Sequence, residues 1–83
     1  MHEYHIVESV VNAVRERALA AKASRVTLIR LVLGGRSGLA EESIKMYFEG
    51  ISQGTALEGS ALEFKTLENS DEFYIEDIEI ETD

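Results

Sequence analysis

Nitrogen donors cluster at the amino-terminal end of the printed sequence, which begins Met1-His2-Glu3-Tyr4-His5. If Met1 is the first residue of the chain, its amine, the amide nitrogen of His2 and the His2 imidazole can close fused chelate rings on one ion. Neutral imidazole is a common metal ligand, and nitrogen-rich square-planar sites suit Ni(II) and Cu(II). Because the amine and the amide must lose protons, affinity should fall in acid. The residues predict a terminal metal site; the competing interpretation is a chance histidine after the starting methionine.

The chain is acidic, and its charge is unevenly distributed. Residues 1–39 carry six basic and three acidic side chains, whereas residues 40–83 carry thirteen acidic and two basic ones, for a total charge of −8. The acidic half would repel a phosphate backbone, so nucleic-acid binding is not expected. Two interpretations of this half stay open: a solvated face, or a patch that attracts cations or a basic partner.

Length and composition limit the classes of protein that remain. The sequence has 83 residues and neither cysteine nor proline. This length predicts one domain, 1–83, with a small core and marginal stability. Without cysteine there can be no disulfide and no thiolate zinc site. No apolar run approaches the roughly 20 residues that span a bilayer, and no signal-peptide pattern is present, so we expect a cytoplasmic protein with no membrane partner.

Hydrophobic periodicity predicts five elements in the order α-β-α-β-β. The fold class is therefore α/β, in the α+β sense, with two helices packed on a small three-stranded mixed sheet. The expected elements are a helix over 4–23, a strand over 25–34, a helix opened by Glu41 and Glu42 and stopped by Gly54, and strands over 61–67 and 72–82.

Further details of the sheet follow from the same pattern. The apolar phase of the last strand shifts near Glu76-Asp77, which predicts a β-bulge there. Turn residues at 68–71 predict that the last two strands form an antiparallel hairpin, with the second helix as the crossover if the first two strands are parallel. Arg30, inside an otherwise apolar strand, needs an acidic partner or a route to the sheet edge. The glycines of residues 34–39 are expected to supply turn conformations, because this loop lacks the lysine and spacing of a phosphate-binding motif.

Nothing in the sequence places a nucleophile beside a base. There is no cysteine, the two histidines are three residues apart, and no serine lies in a nucleophile-elbow context. An enzyme is therefore not expected.

Four segments cover nearly the whole chain and can be compared with known families. They are MHEYHIVESVV, RVTLIRLVLGGRSGL, ESIKMYFEGISQGTALEGSALE and FYIEDIEIE. In this order they resemble the HypA/HybF family of hydrogenase nickel-incorporation proteins. The resemblance implies a metallochaperone that binds Ni(II) at an N-terminal Met-His-Glu and cooperates with a GTPase accessory protein. It further implies delivery of nickel to a NiFe-hydrogenase precursor, and in some bacteria to urease.

The resemblance also implies which residues hold nickel. Met1 would bind through its amine and His2 through its amide and imidazole, while Glu3 would contribute its backbone or contact the ligands. His5 is not typical of the family. It becomes a candidate ligand if the helix includes His2, because residues i and i+3 share a helix face, and a helix N-terminus disfavours protonated imidazole. The alternative for His5 is a solvated side chain.

Two departures from the family pattern affect this interpretation. Some members have a carboxylate near nickel after the glycine-rich loop; here that position is Ala40, and Glu41 and Glu42 just beyond it are candidates for a supporting role. Members also carry a zinc module with two Cys-x-x-Cys pairs between the second and third strands. This chain has only the short turn at 68–71 in that place, so a structural zinc cannot form. The zinc module could have been lost naturally or deleted from the sequence, and both alternatives stay open.

Two function hypotheses result. The first is a Ni(II)-binding accessory protein that captures and transfers nickel. The alternative is a metal-free interaction or regulatory module that keeps the fold and binds a protein partner through its acidic half. A homodimer through the exposed edge of the hairpin would also help so small a domain complete its core.

Overall fold

The five expected elements are present in the expected order. The structure is a computed structural model that describes residues 3–83. It contains α1 (Glu3–Ala20), β1 (Arg25–Gly34), α2 (Glu41–Ile51), β2 (Ala61–Leu67) and β3 (Phe73–Glu81). The prediction of two helices and a three-stranded mixed sheet is confirmed. Neither of the two helices in this part of the chain is long and apolar enough to cross a bilayer.

The first helix ends three residues earlier than the periodicity predicts. Lys22 adopts a left-handed conformation with φ of 56°. The N–H of Ala23 donates to the carbonyl of Ala18 at 2.9 Å, and that of Lys22 to the carbonyl of Leu19 at 3.0 Å. These two bonds form a Schellman motif, which usually has glycine at the left-handed position. Because lysine stands there instead, the sequence lacks the usual stop signal.

The predicted hairpin of the last two strands is wrong. The strand order is β2-β1-β3, so β1 lies in the centre and pairs in parallel with β2 and antiparallel with β3. The strand β1 is apolar on both faces and takes the position that shields it most. Since β2 and β3 alternate apolar and charged residues, they suit the edges, and the connection between them crosses the end of β1.

The predicted bulge in β3 is confirmed. Arg30 pairs with Asp77 and Leu31 with Ile75, so Glu76 is the extra residue. A second irregularity, which the pattern does not predict, leaves Thr27 of β1 without a partner in the register. Bulges of this kind restore the apolar phase, so that both ends of β3 face the core.

The core lies between the two helices and one face of the sheet. The expected stripe of α2 is confirmed, with Ile44 and Phe48 buried and Tyr47 and Ile51 packed partly buried against them. The buried cluster comprises Val7, Val11, Val14 and Ala18 of α1, Val26, Ile29, Leu31 and Leu33 of β1, Ile44 and Phe48 of α2, and Leu57 of the α2–β2 connection.

Arg30 joins all three strands on the face of the sheet that the helices do not cover. Its neighbours Ile29 and Leu31 point into the core, so Arg30 points away from it. The guanidinium donates to the carboxylates of Glu63, Asp77 and Glu79 at 3.1, 3.0 and 2.9 Å. The hydrogen bonds that Arg30 donates to Asp77 and then to Glu79 raise the pKa of Arg30 above its ordinary value. The expected acidic partner is therefore found on both neighbouring strands.

Gly34 is required by a close approach of backbone rather than by a turn. The β2–β3 connection folds over the end of β1, where Gly34 donates to the carbonyl of Glu72 at 2.7 Å and Gly35 to that of Leu67 at 2.8 Å. A Cβ added at Gly34 would overlap the carbonyl oxygen of Ser70 and lie 2.8 Å from the amide nitrogen of Glu72. The expected turn conformation occurs instead at Gly38, with φ of 79°.

Replacing Gly34 with alanine should destabilise the protein, because fixed backbone atoms occupy the space that the methyl group needs. We expect Gly34→Ala to lower the free energy of unfolding by at least about 1–3 kcal/mol. Gly50→Ala is the matched control, since Gly50 lies in α2 with open space around it. That change should raise stability by about 0.5–1 kcal/mol. Urea denaturation of both variants checks the pair, and equal effects would contradict the close approach.

Candidate metal centre

The beginning of α1 is fixed to the beginning of α2 by the side chain of Glu3. One carboxylate oxygen, Oε2, accepts a hydrogen bond from the backbone N–H of Ala40 at 3.2 Å. Ala40 is the N-cap residue of α2 and has no side-chain acceptor of its own. Helix N-termini favour carboxylates, because their first N–H groups lack partners within the helix. Glu3 of α1 therefore provides the side-chain acceptor that the N-cap residue of α2 lacks.

An aromatic contact reinforces this junction. The rings of Tyr4 and Tyr47 meet edge to face, with centroids 5.7 Å apart and an interplanar angle of 90°. Edge-to-face pairs are a favoured arrangement of aromatic rings. The first turn of α1 is thus attached to α2 at two consecutive residues, Glu3 and Tyr4.

His5 lies on an exposed side of α1. Its Nδ1 is 3.5 Å from Oε1 of Glu8, and its ring meets that of Tyr4 edge to face at 5.6 Å. Residues two apart on a helix do not share a face, so His5 and Glu3 point to different sides. Whether His5 ligates a metal depends on its relation to His2, and that prediction lies outside the described residues.

Glu41 and Glu42 open α2 directly after Ala40. The hydrogen bond from Ala40 to Glu3 therefore places the starts of both helices, and these three carboxylates, in one region of the molecule. Negative side chains offset the positive ends of the helix dipoles. The supporting role of Glu41 and Glu42 toward a metal stays a prediction.

Met1 and His2, the principal predicted ligands, lie outside the described residues. Within residues 3–83 no group of three or more His, Cys, Asp or Glu side chains could hold a metal ion. Among the described residues, only Glu3 and His5 belong to the predicted ligand set.

Sequence reasoning missed the role of Glu3 at the helix junction. The available signal was an alanine, which has no side-chain acceptor, just before α2, together with the carboxylate of Glu3 at the start of α1. A contact between residues 37 positions apart cannot be deduced from spacing. We expect Glu3→Ala to lower the free energy of unfolding of the metal-free protein by about 0.5–1.5 kcal/mol. Glu3→Gln, which keeps an acceptor, should lose less than half of that.

Glu8→Ala is the control for the Glu3 variants, because Glu8 is also in the first half of α1 but contacts only the exposed His5. Its effect should stay within about 0.5 kcal/mol. Thermal or urea unfolding with a chelator present measures all three variants. Equal losses for Glu3→Ala and Glu8→Ala would contradict a specific contact with α2.

A groove lies between α2 and the connection to β2. It has a volume of about 770 Å³ and is lined in part by Glu42, Lys45 and Glu49, and the described lining residues include no histidine. Its two serine hydroxyls donate to backbone carbonyls, Ser52 to Glu49 and Ser60 to Val26. These hydroxyls are therefore engaged in contacts with the backbone.

The fold of this chain matches that of two solved structures. A solution structure of the Ni metallochaperone HypA from Helicobacter pylori superposes with a TM-score of 0.85 and 15% sequence identity, covering 100% of both chains. A second solution structure of HypA protein gives a TM-score of 0.83 at 15% identity, covering 100% of this chain and 98% of the other. At such identities the likeness establishes the fold alone.

Sequence similarity identifies the family. The sequence model described as hydrogenase/urease nickel incorporation, metallochaperone, HypA matches residues 1–72. A hydrogenase maturation factor HypA of Dehalococcoides mccartyi strain 195 is 40% identical over 67 residues, and that of Dechloromonas aromatica 40% over 63 residues. The chain therefore belongs to the HypA family. The matched segments cover 81% and 76% of this chain but 56% of each relative, so the chain spans about half their length.

Proposed function

We propose that this protein captures Ni(II) at its amino terminus and passes it on during hydrogenase maturation, by binding and transfer rather than by catalysis. The family match, which begins at Met1 and includes Met1-His2-Glu3, is the observation that carries the proposal. The donor set fits the ion, because an amine, an amide and an imidazole supply the nitrogen ligands that Ni(II) accepts in square-planar geometry.

The start of α1 is suited to give backbone nitrogen to a metal. The first four N–H groups of a helix have no acceptor within it. Since α1 begins at Glu3, an amide at this end can lose its proton to nickel without breaking a helical hydrogen bond. The contacts of Glu3 with Ala40 and of Tyr4 with Tyr47 hold that end beside α2. In this proposal nickel is cargo, which a recipient takes from the site next to the start of α1.

The partners and location belong to the same proposal. A GTPase accessory protein and a hydrogenase precursor are the partners that the family resemblance implies, and cytoplasm is where they would meet. We further propose that this chain lacks the zinc module of the family, and that the module is a separate insertion between two strands. The family match ends at residue 72, one residue before β3, and a short connection there joins β2 to β3. The fold needs no further segment at this place to complete its sheet.

A calorimetric titration of untagged protein with Ni(II) tests the proposal, after mass spectrometry verifies Met1 as the first residue. We expect one binding event per chain, and a loss of affinity of at least about 100-fold in His2→Ala, which exceeds the usual effect of residues that only support ligands. His5→Ala should change the affinity less than about tenfold if His5 merely flanks the site. Unchanged binding in His2→Ala would remove the terminal chelate from consideration.

A further inference from the structure

The strand β3 lies at an edge of the sheet. It pairs with β1 on one side, and no other strand within residues 3–83 covers its second side. An edge strand presents backbone N–H and C=O groups that can pair with another chain. With nine residues, β3 is long enough to accept a partner strand of ordinary length.

An apolar groove of about 290 Å³ lies beside this edge, between α1 and β3. It is lined by Ile6, Val10 and Ala13 of α1 and by Phe73 and Ile75 of β3. All five side chains are only half-buried, so apolar surface remains uncovered here. Side chains of an added strand would alternate, and every second one would face this groove. Backbone pairing together with a side-chain groove is the arrangement by which several domains bind extended peptides.

The charge of the last strand and its flanking residues indicates which kind of segment could bind at this edge. Residues 66–83 hold eight acidic side chains and no basic one. Cations from elsewhere in the described chain pair with four of these carboxylates: Arg30 with two, Lys65 with one at 3.9 Å and Arg36 with one at 3.9 Å. Within β3 itself four carboxylates are matched by two paired cations, Lys65 and Arg30, and Arg30 is also shared with Glu63. A negative field therefore remains along β3. Because complementary charge steers and orients association, the edge favours a segment with lysine or arginine at its outward positions.

A second copy of this chain is a poorer occupant. If β3 paired antiparallel with β3 of another molecule, the acidic residues of both strands would lie opposite or diagonal to one another. Like charges at such positions destabilise a sheet. The edge pairing that the sequence suggested as a route to a homodimer is thus disfavoured by the strand's own charge.

We propose that the free edge of β3 and the adjoining α1–β3 groove bind an extended basic segment of a partner protein as a fourth strand. Apolar side chains of that segment enter the groove, and its basic side chains meet the carboxylates of β3. The groove begins at Ile6, three residues or about 4.5 Å along the helix from Glu3, so the partner would lie next to the start of α1. The proposal does not depend on nickel binding.

The test is a titration of isotope-labelled protein, followed by amide NMR, with a capped seven-residue peptide that alternates lysine and valine. We expect saturable shifts in Phe73–Glu81 and along the groove side of α1, with slowed exchange of β3 amides. A peptide alternating glutamate and valine should bind at least about tenfold more weakly because of charge repulsion. A peptide alternating lysine and serine should also bind at least about tenfold more weakly, because it brings no apolar side chains to the groove.

A matched pair of variants locates the site. Ser9 is exposed and lines the groove, so Ser9→Arg should obstruct it and lower affinity for the lysine–valine peptide at least about tenfold. Asn12→Arg adds the same charge at an exposed position of α1 outside the groove and should change affinity less than about twofold.

Several outcomes would overturn the proposal. Equal binding of the lysine–serine peptide would show electrostatic attraction without a docking site. Shifts confined to α2, equal effects of the two variants, or no shifts at millimolar peptide would contradict the location. Concentration-dependent shifts of β3 without peptide, together with a dimer in sedimentation, would identify a second copy as the occupant instead.

Discussion

Two residues, Gly-Pro, placed before Met1 are expected to reduce the affinity for Ni(II) at least about 100-fold, although they leave every side chain of the protein in place. In the proposed site the amine is a ligand and closes a chelate ring with the amide of His2. The added residues convert that amine into an amide. Because proline has no N–H to lose, no run of deprotonated amides can connect the new amine to His2. Calorimetric titration of the extended and unextended proteins under the same conditions measures the difference.

The control for this prediction is the same two residues added after Asp83, which change length but not the amino terminus. It should leave nickel affinity within about twofold, because sites far apart act independently. Affinity of the unextended protein should also fall between about pH 8 and about pH 6, where amines and imidazoles take up the protons that nickel must displace. If the amino-terminal extension binds nickel as well as the unextended chain, the terminal chelate is wrong.

Leu57→Ala is expected to lower the free energy of unfolding by about 2–5 kcal/mol, the range for truncating a buried leucine. Leu57 lies outside every helix and strand, yet its side chain is 0% exposed and belongs to the core cluster. The preceding residue, Ala56, accepts a hydrogen bond from the N–H of Val26 at 2.9 Å. Hydrogen bonding and burial thus fix this connection against the start of β1, and a cavity there would be difficult to close.

Leu19→Ala provides the matched control, since it makes the same truncation at a leucine of α1 that is 78% exposed. Its effect should remain within about 0.5 kcal/mol. Urea denaturation monitored by far-ultraviolet circular dichroism compares the two variants. Similar losses for both would mean that the segment around Leu57 does not seal the core.

Periodicity predicted four of the elements because each of them buries a single face, whereas β1 was recognised as a β-branched run that is apolar on both faces. The valines of α1 recur every three or four residues and the apolar residues of β2 alternate, so helix and strand could be distinguished. The bulge at Glu76 was also predictable, since a change of apolar phase within a strand requires an extra residue. These are local properties, and the family resemblance added the order of the segments.

The features that sequence reasoning missed depend on contacts between distant residues. The strand that is apolar on both faces takes the centre of the sheet, and this determines the strand order. The prediction gave more weight to the turn residues at 68–71 and therefore expected a hairpin. The end of α1 at Lys22 uses a left-handed conformation without glycine. The need for Gly34 arises from the backbone of residues 70–72, and Leu57 is buried although its segment lacks periodicity.

For the candidate metal centre, sequence provided the donor types and structure provided their support. Met1 and His2 were selected by the chemistry of amine, amide and imidazole nitrogen, which can be recognised from residue order, and Glu3 was added by the family resemblance. The attachment of Glu3 to Ala40 could not be. That contact connects the proposed ligands to the fold, because it fixes the residue immediately after them against α2.

Equilibrium dialysis against micromolar Ni(II) at neutral pH tests the central claim most directly. The sample is untagged protein whose mass confirms Met1 as its first residue, with the amino-terminally extended protein dialysed in parallel. We expect about one nickel ion per unextended chain, corresponding to a dissociation constant of about 1 μM or below, and almost none per extended chain. An unextended chain that stays metal-free, or two proteins that load equally, would contradict nickel capture by the amino terminus.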